Sequence, residues 1–154
     1  MRNNVVEEIC QWNLDRDNLE YNTTTEFTML TEEVQELLIA KQRCMLDFAG
    51  TRGLDPYSED TFKDLSEEDT QNLLDSIKVA EADALADTAF VALGGLFKLT
   101  GGSILNTIRI LEAVIDANQQ KGKDKKDGKI TKSKHFVGPE SRIRAVLLGE
   151  LNGE

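Results

Sequence analysis

The fold is decided by residues 81–97, which read EADALADTAFVALGGLF. Ala and Leu are strong helix formers and the stretch is otherwise almost entirely apolar, so it predicts a buried helix. Asp83 and Asp87 are four positions apart, which puts both carboxylates on one face of that helix. Two like charges in an apolar setting are costly unless something positive meets them. The pair therefore predicts either a polar cleft or a bound cation.

The composition of the chain fits a single globular domain over residues 1–154. Val and Ile do not alternate with polar residues, which argues against a mostly-β fold. The net charge of −10 argues against nucleic acid as a partner, because phosphate backbones require clustered Lys and Arg. Most of the acidic excess is expected simply to keep the surface soluble.

The two cysteines, Cys10 and Cys44, lack the spacing of metal ligands and suit reduced thiols better than a disulfide scaffold. No signal peptide is recognisable, and no apolar run approaches the roughly 20 residues that a membrane span needs. These features predict a cytoplasmic protein that does not bind a membrane.

Helical spacing of apolar residues predicts an all-α fold of five helices. They are expected at residues 2–12, from the Thr23–Thr25 caps to about 48, from Ser66 to Gly101, from Ser103 to about 118, and from Pro139 to 151. We expect an antiparallel four-helix-bundle-type core, with a short N-terminal helix and a basic loop before the C-terminal helix. The apolar stripes predicted to face the core include Val34, Leu38, Leu74, Leu85, Leu105, Ile115 and Leu147.

Three further acids, Glu32, Glu33 and Glu36, flank the apolar stripe of the second helix. Such a cluster on one helix is usually a solvated face. If the second and third helices face one another, however, carboxylates from both form an all-oxygen cation site. Without soft ligands nearby, Mg²⁺ or Mn²⁺ is favoured over zinc.

The charge of the chain changes from acidic to basic at residues 121–134, KGKDKKDGKITKSK, a segment with seven lysines and two aspartates. This segment is either a flexible solvated loop or a lid, covering about residues 119–138, that binds phosphates through ammonium and backbone N–H groups. Asp127-Gly128 is a typical turn pair.

Together the acids and the lysines predict metal-assisted phosphoryl or pyrophosphoryl chemistry on a nucleotide. Carboxylates would hold the metal, the metal would orient the phosphates, and lysines would neutralise the remaining charge. The chain contains no Gly-rich Walker-type loop, and its single histidine, His135, makes Ser-His-Asp or Cys-His catalysis improbable.

The motifs resemble those of the all-α nucleotide pyrophosphohydrolases, the MazG-like superfamily that includes dimeric dUTPases and phosphoribosyl-ATP pyrophosphohydrolases. The family motif Glu-Glu-x-x-Glu stands at residues 32–36, and the Asp of its Glu-x-x-Asp motif is matched by Asp87. Ala84 occupies the position of that motif's Glu, and Asp83 is the residue that would substitute. Downstream, Asn-x-x-Lys matches residues 118–121 and Asp-Gly-Lys-x-x-Lys matches residues 127–132.

The resemblance implies hydrolysis of a nucleoside triphosphate between its α and β phosphates, giving the monophosphate and pyrophosphate. It implies Mg²⁺, or alternatively Mn²⁺, as the cofactor, and Glu32 as the residue that orients or deprotonates the water. The other implied roles are metal binding by Glu33, Glu36, Asp83 and Asp87, contact with phosphate or sugar by Asn118, Lys121, Lys129 and Lys132, and contact with the base by Trp12 and Asn13.

The resemblance also implies a homodimer or homotetramer. Trp12 has an alternative role as a core or lid residue instead of a stacking surface for the base. Two other functions stay open. The chain could be a non-catalytic helical module that binds a nucleotide or a partner, or a relative that acts on phosphoribosyl-ATP or an alarmone.

Overall fold

The computed structural model describes residues 4–58, 60–122, 125–126, 129–132 and 134–149. Within them the chain is mostly helical, which confirms the predicted all-α class. The helices are α1 (Val5–Leu14), α2 (Thr23–Thr51), α3 (Glu67–Leu99), α4 (Ile104–Gln119) and α5 (Glu140–Leu148). Two short antiparallel strands, β1 (Lys125–Lys126) and β2 (Lys129–Ile130), lie between α4 and α5.

The helices divide into two compact units. Asn22–Ala92 is here called the hairpin unit, and Met1–Tyr21 together with Leu93–Glu154 is called the terminal unit. Helix α3 contributes to both units, because it continues without a break from Glu67 to Leu99. The five predicted acidic site residues belong to the hairpin unit, and the predicted basic and base-contacting residues belong to the terminal unit.

Side-chain caps fix where four of the helices begin, and Asn4 is the cap of α1. Ser66 and Ser103 act as predicted: the Ser66 hydroxyl accepts a hydrogen bond from the Asp69 N–H at 3.0 Å, and Ser103 accepts one from Asn106 at 3.2 Å. The predicted Thr23–Thr25 cap is wrong, because Asn22 caps α2 and accepts from the Thr25 N–H at 3.0 Å. Asn is a stronger cap than Thr, so the threonines form the first turn instead.

Glycines in the left-handed conformation follow the ends of three helices, and Gly53, with φ of 65°, is the one after α2. Gly101 and Gly102 have φ of 68° and 77°, and their N–H groups donate to carbonyls in the last turn of α3, as predicted. Gly149, with φ of 67°, ends α5 after Leu148. Three predictions lie outside the described residues: the extension of α5 to Leu151, the start of α1 at residue 2, and the Asp127-Gly128 turn.

The core of the terminal unit combines apolar and polar side chains. Phe97 of α3 and Cys10 of α1 are fully buried. Thr107 of α4 is also fully buried, and its hydroxyl donates to the Ser103 carbonyl at 2.8 Å. At the surface of this unit, Arg142 of α5 pairs with Asp116 of α4 at 2.5 Å.

In the hairpin unit, α2 and α3 pack antiparallel. Arg52, at the C-terminal end of α2, pairs with Asp69, at the start of α3, at 2.5 Å between Nη2 and Oδ1. At the other end of the pairing, Glu33 of α2 lies close enough to Asp87 of α3 to be affected by its charge. The buried side chains between these ends include Ala40, Phe48, Leu73 and Ala84.

The prediction that residues 81–97 form a buried helix is only half right. The helix is present, and Phe97 is buried, but Asp83 and Asp87 are exposed and Leu85 is 55% exposed. Ala84 is buried between α2 and α3, together with Ala40, Phe48 and Leu73, whereas the next residue, Leu85, lies on a different side of α3 and outside that contact. Several other residues predicted to face the core are exposed, because apolar spacing does not determine which helix face another helix covers: Val34, Leu38, Leu74, Leu105, Ile115 and Leu147.

Among the described residues, no single helix is both long and apolar enough to cross a membrane; only α3 and α4 taken together, with a bend between them, meet that test.

Candidate metal and phosphate site

Helices α2 and α3 bring the five predicted acids into one region of the hairpin unit. Glu32, Glu33 and Glu36 lie along less than two turns of α2, and Asp83 and Asp87 occupy successive turns of α3. Because the two helices run antiparallel in the hairpin unit, residues 32–36 of α2 lie beside residues 83–87 of α3. Glu33 is half-buried and the other four acids are exposed.

The charges that act on Glu33 show that the five acids lie near one another. Partial burial raises the pKa of Glu33, and the negative charges of Asp87, Glu36, Glu32 and Asp83 raise it further, in that order. Two of these charges come from α2 and two from α3. The predicted acids therefore share one electrostatic environment in which negative charge is incompletely compensated.

The donor set suits a hard divalent cation, because it consists of carboxylate oxygens contributed by two facing helices. As the side chains are placed, no group of three or more Asp, Glu, His or Cys residues in the described part of the chain is arranged to hold a metal ion. Binding would thus require rotation of the carboxylates about their side-chain torsions, which the exposed positions of Glu36, Asp83 and Asp87 permit.

A cavity of about 420 Å³ adjoins these acids within the hairpin unit. Glu36 and Asp83 line it together with Ala84, the residue that stands where the resemblance expects a glutamate. Ala84 is 4% exposed, so its side chain is directed into the α2–α3 contact. A carboxylate missing at Ala84 therefore leaves space in a cavity that Asp83 already borders.

Sequence reasoning missed three residues that line the same cavity: Arg43, Cys44 and Asp47 of α2. The sequence spacing could have identified them, because they follow Glu36 at helical intervals and lie on the same face of α2. Arg43 is the notable one, since it sets a permanent positive charge beside a predominantly acidic region.

The predicted phosphate-contacting residues are partly brought together in the terminal unit. Asn118, in the last turn of α4, accepts a hydrogen bond from the Lys121 ammonium at 2.5 Å. The Lys132 ammonium lies 4.6 Å from the centroid of the Phe136 ring, and the Lys121 ammonium lies 6.0 Å from it. Lys129 is exposed on β2, where its backbone pairs with Lys126.

The two predicted base-contacting residues have different environments. Trp12 is 39% exposed, and the Arg16 guanidinium stacks over its ring at 4.2 Å from the centroid. Asn13 is 2% exposed; its amide donates to the Ile9 carbonyl at 2.9 Å, and its oxygen accepts from Asn18 at 2.8 Å. The polar groups of Asn13 are thus already engaged within the terminal unit, while part of Trp12 is open to solvent.

The two cysteines lie in different environments. Burial raises the pKa of the Cys10 thiol, and the charge of Glu7 raises it further, which disfavours the reactive thiolate. Cys44 is half-buried and lines the acidic cavity.

Comparison of the chain with protein-family models, with curated proteins and with solved structures found no match. The MazG-like resemblance of the short motifs stays a prediction.

Proposed function

We propose that the chain is a Mg²⁺-dependent nucleoside triphosphate pyrophosphohydrolase that forms a nucleoside monophosphate and pyrophosphate. The observation that carries the proposal is the grouping of five carboxylates on two antiparallel helices, in which the charges of two acids from each helix act on half-buried Glu33. Like charges kept together on facing helices destabilise one another unless a cation binds between them. Such an arrangement is better suited to binding a divalent ion than to stabilising the fold.

Glu33, Glu36, Asp83 and Asp87 would hold the ion. When bound there, Mg²⁺ would supply positive charge to the triphosphate and lower the pKa of the attacking water. Glu32 precedes Glu33 on α2 and is exposed, so its carboxylate is free to orient that water or to accept its proton. Manganese, which favours the same oxygen ligands, would be the alternative ion.

Lys121, Lys129 and Lys132 would balance the charge of the phosphates, and Asn118 would contact phosphate or sugar. Support comes from the convergence of Asn118, Lys121 and Lys132 near the C-terminal end of α4. Ammonium groups bind phosphate oxygens as concentrated point charges without requiring one fixed geometry. Trp12 would stack on the base, with Asn13 beside it in α1.

The deciding experiment is a panel of ribo- and deoxyribonucleoside triphosphates assayed for pyrophosphate release with Mg²⁺, with Mn²⁺ and with a chelator. We expect metal-dependent formation of the monophosphate and pyrophosphate in equal amounts. No turnover of any nucleotide by the folded protein with metal present would refute the proposal. Including phosphoribosyl-ATP and an alarmone tests the alternative substrates.

A non-catalytic nucleotide-binding module is the second candidate, and the observation that favours it is Ala84. This residue removes one carboxylate from the motif, and its buried position leaves only exposed Asp83 to replace it. Calorimetry distinguishes the candidates, because the module would bind a nucleotide with Mg²⁺ present without releasing pyrophosphate.

We further propose one cytoplasmic domain over residues 1–154, with an antiparallel four-helix core and a basic lid at about 119–138, assembled as a homodimer or homotetramer. Phe27, Val34 and Leu38 support the oligomer, since they share one face of α2 and are 69%, 43% and 76% exposed. Light scattering coupled to gel filtration tests it. The variant Leu38→Lys is expected to shift the mass toward the monomer, and a wild-type chain that is monomeric at all concentrations would refute it.

A further inference from the structure

We propose that Phe136 is a positioning residue that holds the ammonium groups of Lys121 and Lys132 around its ring as a paired binding site for a polyphosphate. The Lys132 nitrogen lies 4.6 Å from the ring centroid, within the range of a cation–π contact. The Lys121 nitrogen lies at 6.0 Å, at the outer limit of that range. One aromatic ring therefore attracts two cations that would otherwise repel one another.

An aromatic ring orients a lysine without cancelling its charge. A carboxylate partner would neutralise the ammonium and compete with an incoming phosphate, whereas the ring quadrupole attracts the cation and carries no net charge. The contact with the ring therefore leaves the positive charge of each lysine available to an anion. Lys132 is exposed and Lys121 is half-buried, so both ammonium groups can be reached from solvent.

Lys121 is held from a second side by α4. The Asn118 oxygen accepts a hydrogen bond from its ammonium at 2.5 Å, and the Asn118 amide donates to the Val114 carbonyl at 2.8 Å. This chain of hydrogen bonds fixes the direction of Lys121 relative to the helix. An ammonium has three N–H donors, so further donors remain for phosphate oxygens.

The ring itself is fixed through the residue that follows it. The Val137 N–H donates to the Gln120 side-chain oxygen at 3.0 Å, and the Gln120 side-chain amide donates back to the Val137 carbonyl at 3.4 Å. Gln120 is the C-cap of α4, so this pair of bonds ties the backbone beside Phe136 to the end of that helix. The half-buried ring is thereby held with its centroid 4.6 Å from the Lys132 nitrogen and 6.0 Å from the Lys121 nitrogen.

The inferred ligand is a pyrophosphate group, either free or as part of a nucleotide; its assignment to the substrate rests on the proposed function. Phe136 would not touch the phosphates and would act only through the two lysines. Loss of the ring should therefore weaken polyphosphate binding and raise KM, while kcat stays close to its wild-type value.

The test is calorimetric titration of the full-length chain with pyrophosphate in the presence of a chelator, comparing Phe136→Leu with Phe136→Tyr. Leucine keeps an apolar side chain without a ring, and tyrosine keeps the ring. We expect Phe136→Leu to bind pyrophosphate about fivefold more weakly, and Phe136→Tyr to bind as the wild type does. In the double variant with Lys132→Gln, Phe136→Leu should cause a smaller further loss, because the partner cation is absent.

Equal binding by Phe136→Leu and the wild type would overturn the proposal, as would an equal loss in both Phe136 variants. If Phe136→Leu does not fold, an NMR measurement on the wild-type protein still tests the contact. The ε-methylene protons of Lys132 should show an upfield ring-current shift that is lost when the chain is unfolded. Absence of this shift in the folded wild type would overturn the proposal. An inactive wild type that binds pyrophosphate through the ring would refute only the proposed function. An active wild type without the ring effect would refute only this inference.

Discussion

Asp87 of α3 has the largest effect on Glu33 of α2 among the four neighbouring acids: after partial burial of Glu33 itself, the charge of Asp87 does most to raise the Glu33 pKa. The two residues are 54 positions apart in the sequence and on different helices. Their proximity follows from the antiparallel packing of the hairpin unit. A divalent cation between these carboxylates would replace their mutual repulsion with an attraction between the cation and each carboxylate.

Replacing Asp87 with Asn should reduce metal-dependent pyrophosphate release by about 100-fold or more, because a neutral amide is a poor ligand for a divalent cation. It should also abolish the increase in melting temperature that Mg²⁺ produces in the wild type. The measurements are the nucleotide assay and thermal unfolding with and without Mg²⁺.

Asp75→Asn is the matched control for Asp87→Asn. Asp75 is exposed on the same helix, where it accepts a hydrogen bond from Gln71 at 2.8 Å, and it lies away from the acidic residues of the site. We expect this variant to keep both activity and the Mg²⁺ response. If Asp87→Asn behaves like Asp75→Asn, then Asp87 does not bind the metal.

Without metal, the raised pKa of Glu33 should make the folded state less stable as the pH rises. The pKa of Glu33 is raised above its ordinary value of 4.5, so between 4.5 and the raised value the folded state binds more protons than the unfolded state. Stability then falls with increasing pH through that interval. Glu33→Gln removes the titration and should be more stable than the wild type above it. The measurement is urea unfolding in a chelator across the acidic pH range.

Saturating Mg²⁺ should reverse this pH dependence, because the cation favours ionised Glu33 and competes with its proton. Glu81→Gln, at an exposed position of α3, is the control and should follow the wild-type curve. If the difference in unfolding free energy between Glu33→Gln and the wild type does not change with pH in chelator, the shared acidic environment of Glu33 is contradicted.

The fold class and several helix boundaries could be predicted from the sequence because they depend on local interactions. Ser66 and Ser103 needed only the three following residues to act as caps, and Gly101-Gly102 needed only its own backbone freedom. The competition at the start of α2 was harder to resolve, since Asn22 and the three threonines after it are all acceptable caps. Capping preferences therefore located the start of α2 to within a few residues but did not identify Asn22 as its cap.

Exposure could not be predicted in the same way, because it depends on which partner covers each helix face. The spacing of Leu38 and Leu85 is that of core residues, yet other faces of α2 and α3 are buried and both leucines are exposed. In the site, the motif pattern predicted the acids that surround Glu33. It gave no indication of Phe136, because a cation–π contact between residues of an irregular segment has no sequence period.

Asp83 should be the residue that replaces the glutamate absent at Ala84. Asp83 and Ala84 line the same cavity with Glu36, so a carboxylate from either position could reach the same ion. We expect Asp83→Ala to weaken Mg²⁺ binding by about tenfold or more, and adding Ala84→Glu to that variant to restore most of it. The cavity of about 420 Å³ offers room for the longer side chain. Calorimetric titration with Mg²⁺ and with Mn²⁺ measures both effects.

Ala84→Gln in the same Asp83→Ala background separates charge from size. Glutamine fills the same space without a negative charge, so it should not restore metal binding. Restoration by glutamine as complete as that by glutamate would mean that packing in the cavity, and not a carboxylate ligand, determines the affinity. An unchanged affinity of Asp83→Ala would remove Asp83 from the ligands.

Gly94→Ala should destabilise the terminal unit although alanine favours a helix. The exchange gains roughly 1 kcal/mol of helix propensity. The new Cβ would lie 3.2 Å from the Asn13 amide nitrogen, which is closer than ordinary packing allows. Asn13 cannot move away without breaking its hydrogen bonds to the Ile9 carbonyl and from Asn18. Overpacking at such a site costs about 1–3 kcal/mol, so the net effect in urea unfolding should be a loss of up to about 2 kcal/mol.

Gly50→Ala is the matched control for Gly94→Ala, because Gly50 lies in α2 and a Cβ there would have no neighbour within 4 Å. This variant should be neutral or slightly stabilising, since only the propensity changes. In an Asn13→Ala background the obstacle is removed, and Gly94→Ala should then change from destabilising to stabilising. A stabilising Gly94→Ala in the wild-type background would show that Asn13 can give way despite its hydrogen bonds with Ile9 and Asn18.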